Sequence, residues 1–426
     1  MPAAPNSPPP VALPPEGDVA YAFPWQQAEM AARAYLSACP RCGAATRSRE
    51  TWLAFLQLIV PNHCGCGLRF LDCRPVAHLG VEDALCRFVE GAIVPQDPLS
   101  GYYDEAARLQ FAANVRRLDE AESLDAQGGL LVPALTNNVW HVVVDFLYLA
   151  RAHRATFPGR VTLCVFPEYR TLASLVADRV LTVPPESVWR LTNGFAYVAQ
   201  PVAPGAQDDP LDPPAFMGYT PSRRRHRRAF LDDLADLIPP QEHPFDPALL
   251  LTVRFGSRRW LPILDTTREV VSLFLDAYPK GGVLLHGTPA ADGFPLGPEW
   301  NPLTAHPRVR TVFDADPLVQ ASWCAAADVC LQGSGAAQFI PAIFRTPTVT
   351  LGFGHDLLVE YVDAPADRTL LLPAGDFVQD TPVNRSYHSP SPREALAAVA
   401  QLLERHGSTR RRPPSPTRPP GGRDDG

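Results

Sequence analysis

The sequence predicts an α/β protein whose parallel sheets fall in two successive units, preceded by a small cysteine-rich module. Three observations carry that expectation. Short β-branched or leucine-rich runs alternate with runs of helical length between residues 81 and 200, and strands spaced in this way pair in parallel with helices on the sheet faces. The same alternation returns between residues 245 and 405. Five of the nine cysteines lie between residues 20 and 80.

In chain order, residues 1–18 are proline-rich and read as extended and disordered, as does the tail 407–426. Residues 20–80 form the cysteine-rich module. In the first alternating unit, 81–200, Gly129 to Leu135 reads as a strand, Val139 to His153 as a helix and Val161 to Phe166 as a second strand. Tyr169 to Val180 follows as helix and Phe195 to Ala199 as strand. Residues 201–244 hold a polar, proline-rich linker and a basic helix. The second unit, 245–405, runs through the strand Leu249 to Val253, a helix from about Thr267 to Tyr278, and the strands Gly282 to His286 and Val309 to Phe313. Two such units make two Rossmann-like domains, and ligands of open α/β sheets bind at strand carboxyl ends, so the domains are expected to face a cleft.

Composition narrows the function classes. With 426 residues, 46% hydrophobic and 19% charged, the chain is globular in type, and 21 of its 48 prolines lie in the two ends and the linker region, 1–18, 201–244 and 407–426. A formal charge of −7 gives no general field for nucleic acid or an anionic membrane. The run Arg223 to Arg228 is a local exception that reads as a solvated helix start, with a nucleic-acid patch as its alternative. No stretch reaches the roughly eighteen apolar residues of a membrane span, and the N-terminus has neither a basic region nor an apolar core, so the expected location is cytoplasmic. An odd number of cysteines in a chain this large suits reduced thiols or metal ligands.

Five constellations could carry chemistry. From Ala321 to Gly352 a strand ending at Leu331 meets the turn Gly333-Ser334-Gly335, then a helix from Ala336 to Phe344 and the strand Thr348 to Leu351. Helix N-terminal amides behind a glycine turn suit a diphosphate; the other reading is a tight turn without a ligand. Arg254, Ser257, Arg258 and Arg259 follow the first strand of the second unit, where planar guanidinium forks suit phosphate, or else form a surface ion-pair cluster. His141 and Asp145, four apart at a helix start, could act as a general base and the carboxylate that fixes its tautomer; a locally bonded histidine is the alternative. Cys39 and Cys42, with Cys64 and Cys66, form two knuckles of the kind tetrahedral zinc requires, and Cys73 or His63 could replace one ligand. Four protein ligands would close such a site, so the zinc would be structural, against unligated buried cysteines as the alternative. Asp314-Ala315-Asp316 has the spacing of a metal-diphosphate motif and also of a helix cap. There is no Walker loop, His-Glu-x-x-His or Gly-x-Ser-x-Gly motif.

In combination, Asn138-x-x-His141-x-x-x-Asp145, the Arg254 to Arg259 turn and Ala327-Asp328-Val329 before a glycine turn resemble glycosyltransferases of the two-Rossmann (GT-B) type, most of all family 61. The resemblance spans about 128–406. It matches Arg254, Ser257 and Arg258 to the basic turn of the donor half, Gly333, Ser334, Gly335 and Ala336 to its glycine turn, and His141 and Asp145 to the first-half helix motif. The family 61 turn reads Pro-His-Gly-Ala, however, and Gln332-Gly333-Ser334-Gly335 has no histidine; Gly-Ser-Gly is similar to the turn of the heptosyltransferases. The resemblance implies a nucleotide-sugar donor in the second unit, a glycan, protein or lipid acceptor in the first, no nucleic-acid partner, and no catalytic metal. The competing expectations are a nucleotide-sugar-binding protein without turnover, a zinc-ribbon scaffold, and a nucleotide-sugar epimerase.

Overall fold

The computed structural model describes residues 36–47, 51–54, 57–75, 86–95, 109–125, 130–135, 139, 141–148, 150–151, 154, 160–192, 197–198, 221–256, 258–290, 292–335, 339–352, 366–379 and 385–407. The expected disorder of residues 1–18, the tail from residue 408 and the linker before residue 221 lie outside the described residues, as do Ser257 and Ala336. The chain divides into two compact units, Met1–Phe230 and Leu231–Gly426.

The first unit begins with a hairpin of β1 (Leu36–Ala38) and β2 (Ala45–Arg47), followed by β3 (Thr51–Ala54), β4 (Gln57–His63), β5 (Arg69–Pro75), β6 (Cys86–Val89) and β7 (Ala92–Pro95). The last five are consecutive antiparallel strands. Their sheet reaches well beyond residue 80, where the sequence places the end of the cysteine-rich module. It also recruits β8 (Glu122–Asp125) and β12 (Trp189–Thr192), giving the order β7-β6-β5-β4-β3-β12-β8. The reason is burial: Ala54, Ile59, Cys73 and Cys86 share a core with Phe111 and Val188, residues far away in sequence. Asp72 is buried in the same sheet, and the cost of a buried carboxylate is offset by Arg87 Nε at 2.7 Å and Asn62 Nδ2 at 3.1 Å.

A second sheet of the first unit is parallel. Its strands are β9 (Leu130–Ala134), β10 (Val161–Val165), β11 (Arg179–Thr182) and β13 (Tyr197–Val198), in the order β11-β10-β9-β13. All five residues of β10 are buried, as expected of a strand covered on both faces. The expected helix from Tyr169 to Val180 is much shorter, with one turn at Arg170–Ala173, after which the Ser174 hydroxyl donates back to Thr171 O at 2.7 Å. The chain enters β11 at Arg179.

Helix α1 (Pro221–Leu237) spans the division between the units and carries the Arg223 to Arg228 run; Arg228 is buried, a departure from the solvated start expected of it. The second unit then alternates as the sequence predicts: β14 (Ala248–Thr252), α2 (Ile263–Ala277), β15 (Gly282–Gly287), β16 (Val309–Phe313), α3 (Pro317–Ala325), β17 (Val329–Gly333), α4 (Phe339–Ile343), β18 (Thr348–Gly352) and β19 (Thr369–Pro373). The six strands are all parallel, in the order β16-β15-β14-β17-β18-β19. Counted from β14 this is 3-2-1-4-5-6, the doubly wound order of dinucleotide-binding sheets. A hairpin of β20 (Gly375–Gln379) and β21 (Arg385–Ser389) and helix α5 (Pro392–His406) complete the unit.

One sheet face presents Leu249, Leu251, Leu331, Val349 and Leu351 to Val270, Val271, Phe274 and Leu275 of α2 and to Ala398, Val399 and Leu402 of α5. Helix α2 starts at Ile263, four residues before the expected start, because Pro262 sits at its N-cap and cannot be passed by a regular helix. Helix α5 is set by a capping box between Ser391 and Glu394. Among the described residues no helix is long and apolar enough to cross a membrane.

Candidate functional site

In the order 3-2-1-4-5-6 the connections change direction between β14 and β17, and the crevice at their carboxyl ends is where such sheets take ligands. Beyond β14 the chain is anchored by Phe255, which packs against Phe294, Trp300 and Phe313 with ring centroids 5.1 to 5.6 Å away. On either side of that anchor, Arg254 and Arg258 line a pocket open to solvent. Trp260, Thr266, Thr267, Gln332 and Tyr387 line it as well, and among the described residues no acidic one does.

Arg254 joins the two strand ends directly, its Nη1 donating to Ser334 O at 2.8 Å. That contact explains Gly335, whose φ is +134°, a region favouring glycine, and where a Cβ would stand 1.8 Å from Arg254 Nη1. Gly333 has a similar reason: a Cβ there would stand 2.8 Å from the Tyr387 hydroxyl oxygen and 3.3 Å from Arg254 Cδ. The closeness allowed by the glycines is thus taken up by the protein's own side chains. Ser334 is fully buried, and its N–H donates to Leu351 O at 2.7 Å. The Ser334 amide, expected to face a diphosphate, therefore belongs to the sheet. Helix α4 is described from Phe339, and the expected start at Ala336 lies outside the described residues.

The arginine turn is held by β21. Tyr387 N donates to Arg259 O at 2.9 Å, and Leu261 N donates to Tyr387 O at 2.8 Å. Arg259 N and Nε both donate to Ser386 Oγ, at 3.0 and 3.3 Å, and Trp260 Nε1 donates to Pro390 O at 3.0 Å. Within this clamp Arg258 has φ +56°, a left-handed conformation that a branchless glycine would adopt more readily. The Tyr387 ring is 1% exposed. Burial raises its phenol pKa, and the positive charges of Arg254 and Arg258 oppose that rise. Beneath the pocket His286 accepts or donates between Thr252 Oγ1 (3.2 Å) and Gln320 Oε1 (2.8 Å), and burial lowers its pKa, so the imidazole is neutral.

Tyr387, Trp260 and Gln332 have no signal in the sequence as site residues; each is placed by pairing with a distant strand. Asp314 and Asp316 resolve to the capping alternative. Asp316 caps α3 by accepting from Leu318 N at 2.8 Å, and Asp314 accepts from Ala290 N with both oxygens at 3.1 Å.

In the first unit the four knuckle cysteines converge. The Sγ atoms of Cys39, Cys42, Cys64 and Cys66 all lie within 4.8 Å of one another, an arrangement that could hold a metal ion. Cys39 and Cys66 are 3.7 Å apart and Cys42 and Cys64 3.4 Å, against the roughly 3.8 Å between thiolates of a zinc tetrahedron with 2.3 Å bonds. Two turns set this spacing, with Gly43 N donating to Cys39 O and Gly67 N to Cys64 O, both at 2.9 Å. Desolvation would raise the Cys39 thiol, but N–H groups of Arg41 and Cys42 and the thiols of Cys64 and Cys42 outweigh it and bring it down to about 6. The Cys66 N–H lowers Cys64, yet the sulfurs around it carry it up to about 12. Cys73, expected as a substitute ligand, faces Cys86 across β5 and β6 in the apolar core, and His63 is not part of the group.

His141 and Asp145 lie on a π-helical segment, His141–Leu147, that follows β9 at the carboxyl end of the parallel sheet. A wider turn of this kind recurs at functional sites. Its interior residues Val142, Val143, Val144, Phe146 and Leu147 are buried, while the side chains of His141 and Asp145 lie outside the description.

No family model and no curated protein matches the sequence. Solved structures with a similar chain path include E. coli ADP-heptose LPS heptosyltransferase II, at 12% identity and a TM-score of 0.42, covering 65% of this chain and 99% of that one. A glycosyl transferase family 9 protein from Veillonella parvula is similar at 10% identity and a TM-score of 0.40, covering 67% and 99%. The E. coli glycosyltransferase TibC is similar at 12% and 0.40, covering 66% and 77%. Family 61, to which the sequence motifs point, is not supported by these likenesses. Identities of 10–12% and TM-scores below 0.5 are too slight to carry an activity to this chain.

Proposed function

We propose that this chain is a glycosyltransferase that moves a sugar from a nucleotide-sugar donor to an acceptor hydroxyl without a catalytic metal. The observation that carries the reading is the convergence of Arg254 and Arg258 on the ends of the two strands at which the doubly wound sheet changes direction, in a pocket whose described lining residues include no acid. A leaving nucleoside diphosphate gains negative charge as the glycosidic bond breaks, and fixed guanidinium donors stabilise that charge. The bond from Arg254 Nη1 to Ser334 O aims the guanidinium fork along the strand ends. Gly333, Gly335 and Ser334 shape the donor side, Ser334 through its backbone, and the further contributors that the sequence names, Ser257 and Ala336, lie outside the described residues.

In this reading His141 takes the proton from the acceptor hydroxyl, Asp145 holds the imidazole in the competent tautomer, and the nucleoside diphosphate leaves. Cys39, Cys42, Cys64 and Cys66 would hold a structural zinc, cross-linking the turn of the β1–β2 hairpin to the turn between β4 and β5. Four sulfur ligands leave such an ion no open position for substrate.

The test is a thermal-shift panel of nucleoside diphosphates and nucleotide sugars, with and without EDTA, on the wild type and on Arg258→Ala. One base is expected to stabilise the second unit, by about 2.7 kcal/mol at a hundredfold excess over Kd. The shift should vanish in Arg258→Ala and persist in EDTA. A panel without any shift would remove the donor reading, and a shift seen only without EDTA would remove its metal independence.

A further inference from the structure

We propose that Tyr387 is a third ligand group of the arginine pocket, its phenolic O–H donating to a phosphoryl oxygen held between Arg254 and Arg258. The inference rests on the nucleotide-donor reading and names a residue outside every sequence motif that led to it.

Three observations point to the hydroxyl. First, the structural duties of this residue belong to other atoms: its backbone N and O clamp Arg259 and Leu261, and its ring joins the core of the second unit. Phenylalanine would serve both purposes. Second, the hydroxyl oxygen reaches the end of β17, close enough that a Cβ on Gly333 would stand 2.8 Å from it. Tyr387 is also among the residues that line the pocket, together with both arginines. Third, among the described residues no hydrogen-bond partner of the hydroxyl is seen, yet it is not among the polar atoms sealed from solvent, so on a residue only 1% exposed it is the pocket that it meets. A hydroxyl so placed takes its partner from the pocket side, and it stands beside two cations that neither need nor accept its proton. An anion bound by those cations supplies the missing acceptor. Burial raises the phenol's pKa against the opposing charges of Arg254 and Arg258, so it remains a donor across the ordinary pH range.

A phosphoryl group suits this arrangement better than a carboxylate, since it offers three peripheral oxygens to three donors that approach from β14, the arginine turn and β21. β21 would then both set the arginine turn and read the ligand that the turn holds.

The experiment is calorimetric titration of the full-length protein with inorganic pyrophosphate and with ADP, UDP, GDP and CDP, using the wild type, Arg258→Ala, Tyr387→Phe, Gly333→Ala and the double variant Gly333→Ala/Tyr387→Phe. Loss of a hydrogen bond to a charged oxygen weakens binding by about tenfold or more, so that is the change expected in Tyr387→Phe, at an unaltered melting temperature. Gly333→Ala places a methyl against the hydroxyl and is expected to weaken binding in the tyrosine background but add little in the phenylalanine background. That coupling is a readout which ring packing alone would not move. Wild-type binding that is lost in Arg258→Ala but unchanged within twofold in Tyr387→Phe would overturn the role of Tyr387 and leave the donor pocket standing. Absence of wild-type binding to every probe would overturn both.

Discussion

In the cysteine cluster all four sulfurs come from two short turns, Cys39 to Gly43 and Cys64 to Gly67, each closed by a hydrogen bond inside its own knuckle. The arginine pocket is made differently. Arg254 and Arg258 leave β14, Ser334 and Gly335 leave β17, and Tyr387 arrives on β21, so none of the three segments contains enough of the site to be recognised alone. The difference is one of where order comes from: local turn geometry prepares the cluster, while the pocket exists only after the parallel sheet and its hairpin have assembled. A site of the first kind can be lost without touching the second.

The largest effect that tests this separation comes from the metal. Loading the protein with zinc and then chelating it, or replacing Cys64 with serine, is expected to destabilise the first unit, since a structural zinc contributes on the order of 10 kcal/mol of binding free energy. Calorimetric melting would show a lowered first-unit transition, while anion affinity at the second unit is retained. A matching loss of anion affinity would break the separation.

Within the pocket, Gly335→Ala combines a left-handed backbone position with a methyl placed on Arg254 Nη1 and should cost about 1–3 kcal/mol in denaturant unfolding. In an Arg254→Ala background the steric part disappears and the cost should fall. An undiminished cost would show that backbone strain, and not the arginine, is why glycine stands there.

The capping box of α5 is a local motif inside the long-range unit. Ser391→Ala should cost about 1 kcal/mol. The Ser391 N–H and hydroxyl hold the Glu394 carboxyl below the ordinary carboxylate pKa. Its contribution is therefore complete above the unfolded value and is lost as pH falls through the lowered folded value. Glu394→Gln should flatten the acid limb of α5 hydrogen exchange, and an unchanged limb would assign that dependence elsewhere.

The smallest effect on stability separates strain from function. Arg258→Gly relieves a left-handed residue, worth roughly 1–2 kcal/mol, against roughly 0.5–1 kcal/mol of added chain entropy for glycine. The net gain should be about 0.5 kcal/mol, with anion binding lost in the same variant. A stability loss would mean that the Arg258 side chain, rather than the clamp from β21, maintains the turn.

Much of this architecture was legible in the amino-acid order. β14, β15, β17 and β18 appear as apolar, β-branched runs because a parallel strand is covered on both faces, and their burial is complete along their length. The paired cysteines with their glycines announce the cluster because a turn of four or five residues determines the positions of two sulfurs. Arg254 and Arg258 were recognisable by their place after a strand. The roles of Gly333, Ser334 and Gly335 were not: the same Gly-Ser-Gly serves a ligand or a neighbouring side chain equally well, and the guanidinium of Arg254 and the hydroxyl of Tyr387 decide between them. Likewise β8 and β12 join the antiparallel sheet although the alternation of elements around them predicts a parallel one, because open edges and apolar surface at Ala54, Phe111 and Val188 are satisfied there.

By itself, then, the sequence determined the elements whose cause is local: strand and helix periodicity, the cysteine turns, and the cap of α5. Tertiary structure decided strand order, the use of the glycine gaps and the arrival of Tyr387 at the pocket. Those features depend on contacts across separations of fifty to more than a hundred residues, as between Arg254 and Ser334 or Arg259 and Ser386, and such contacts form only when burial of a shared core offsets the entropy of closing long loops.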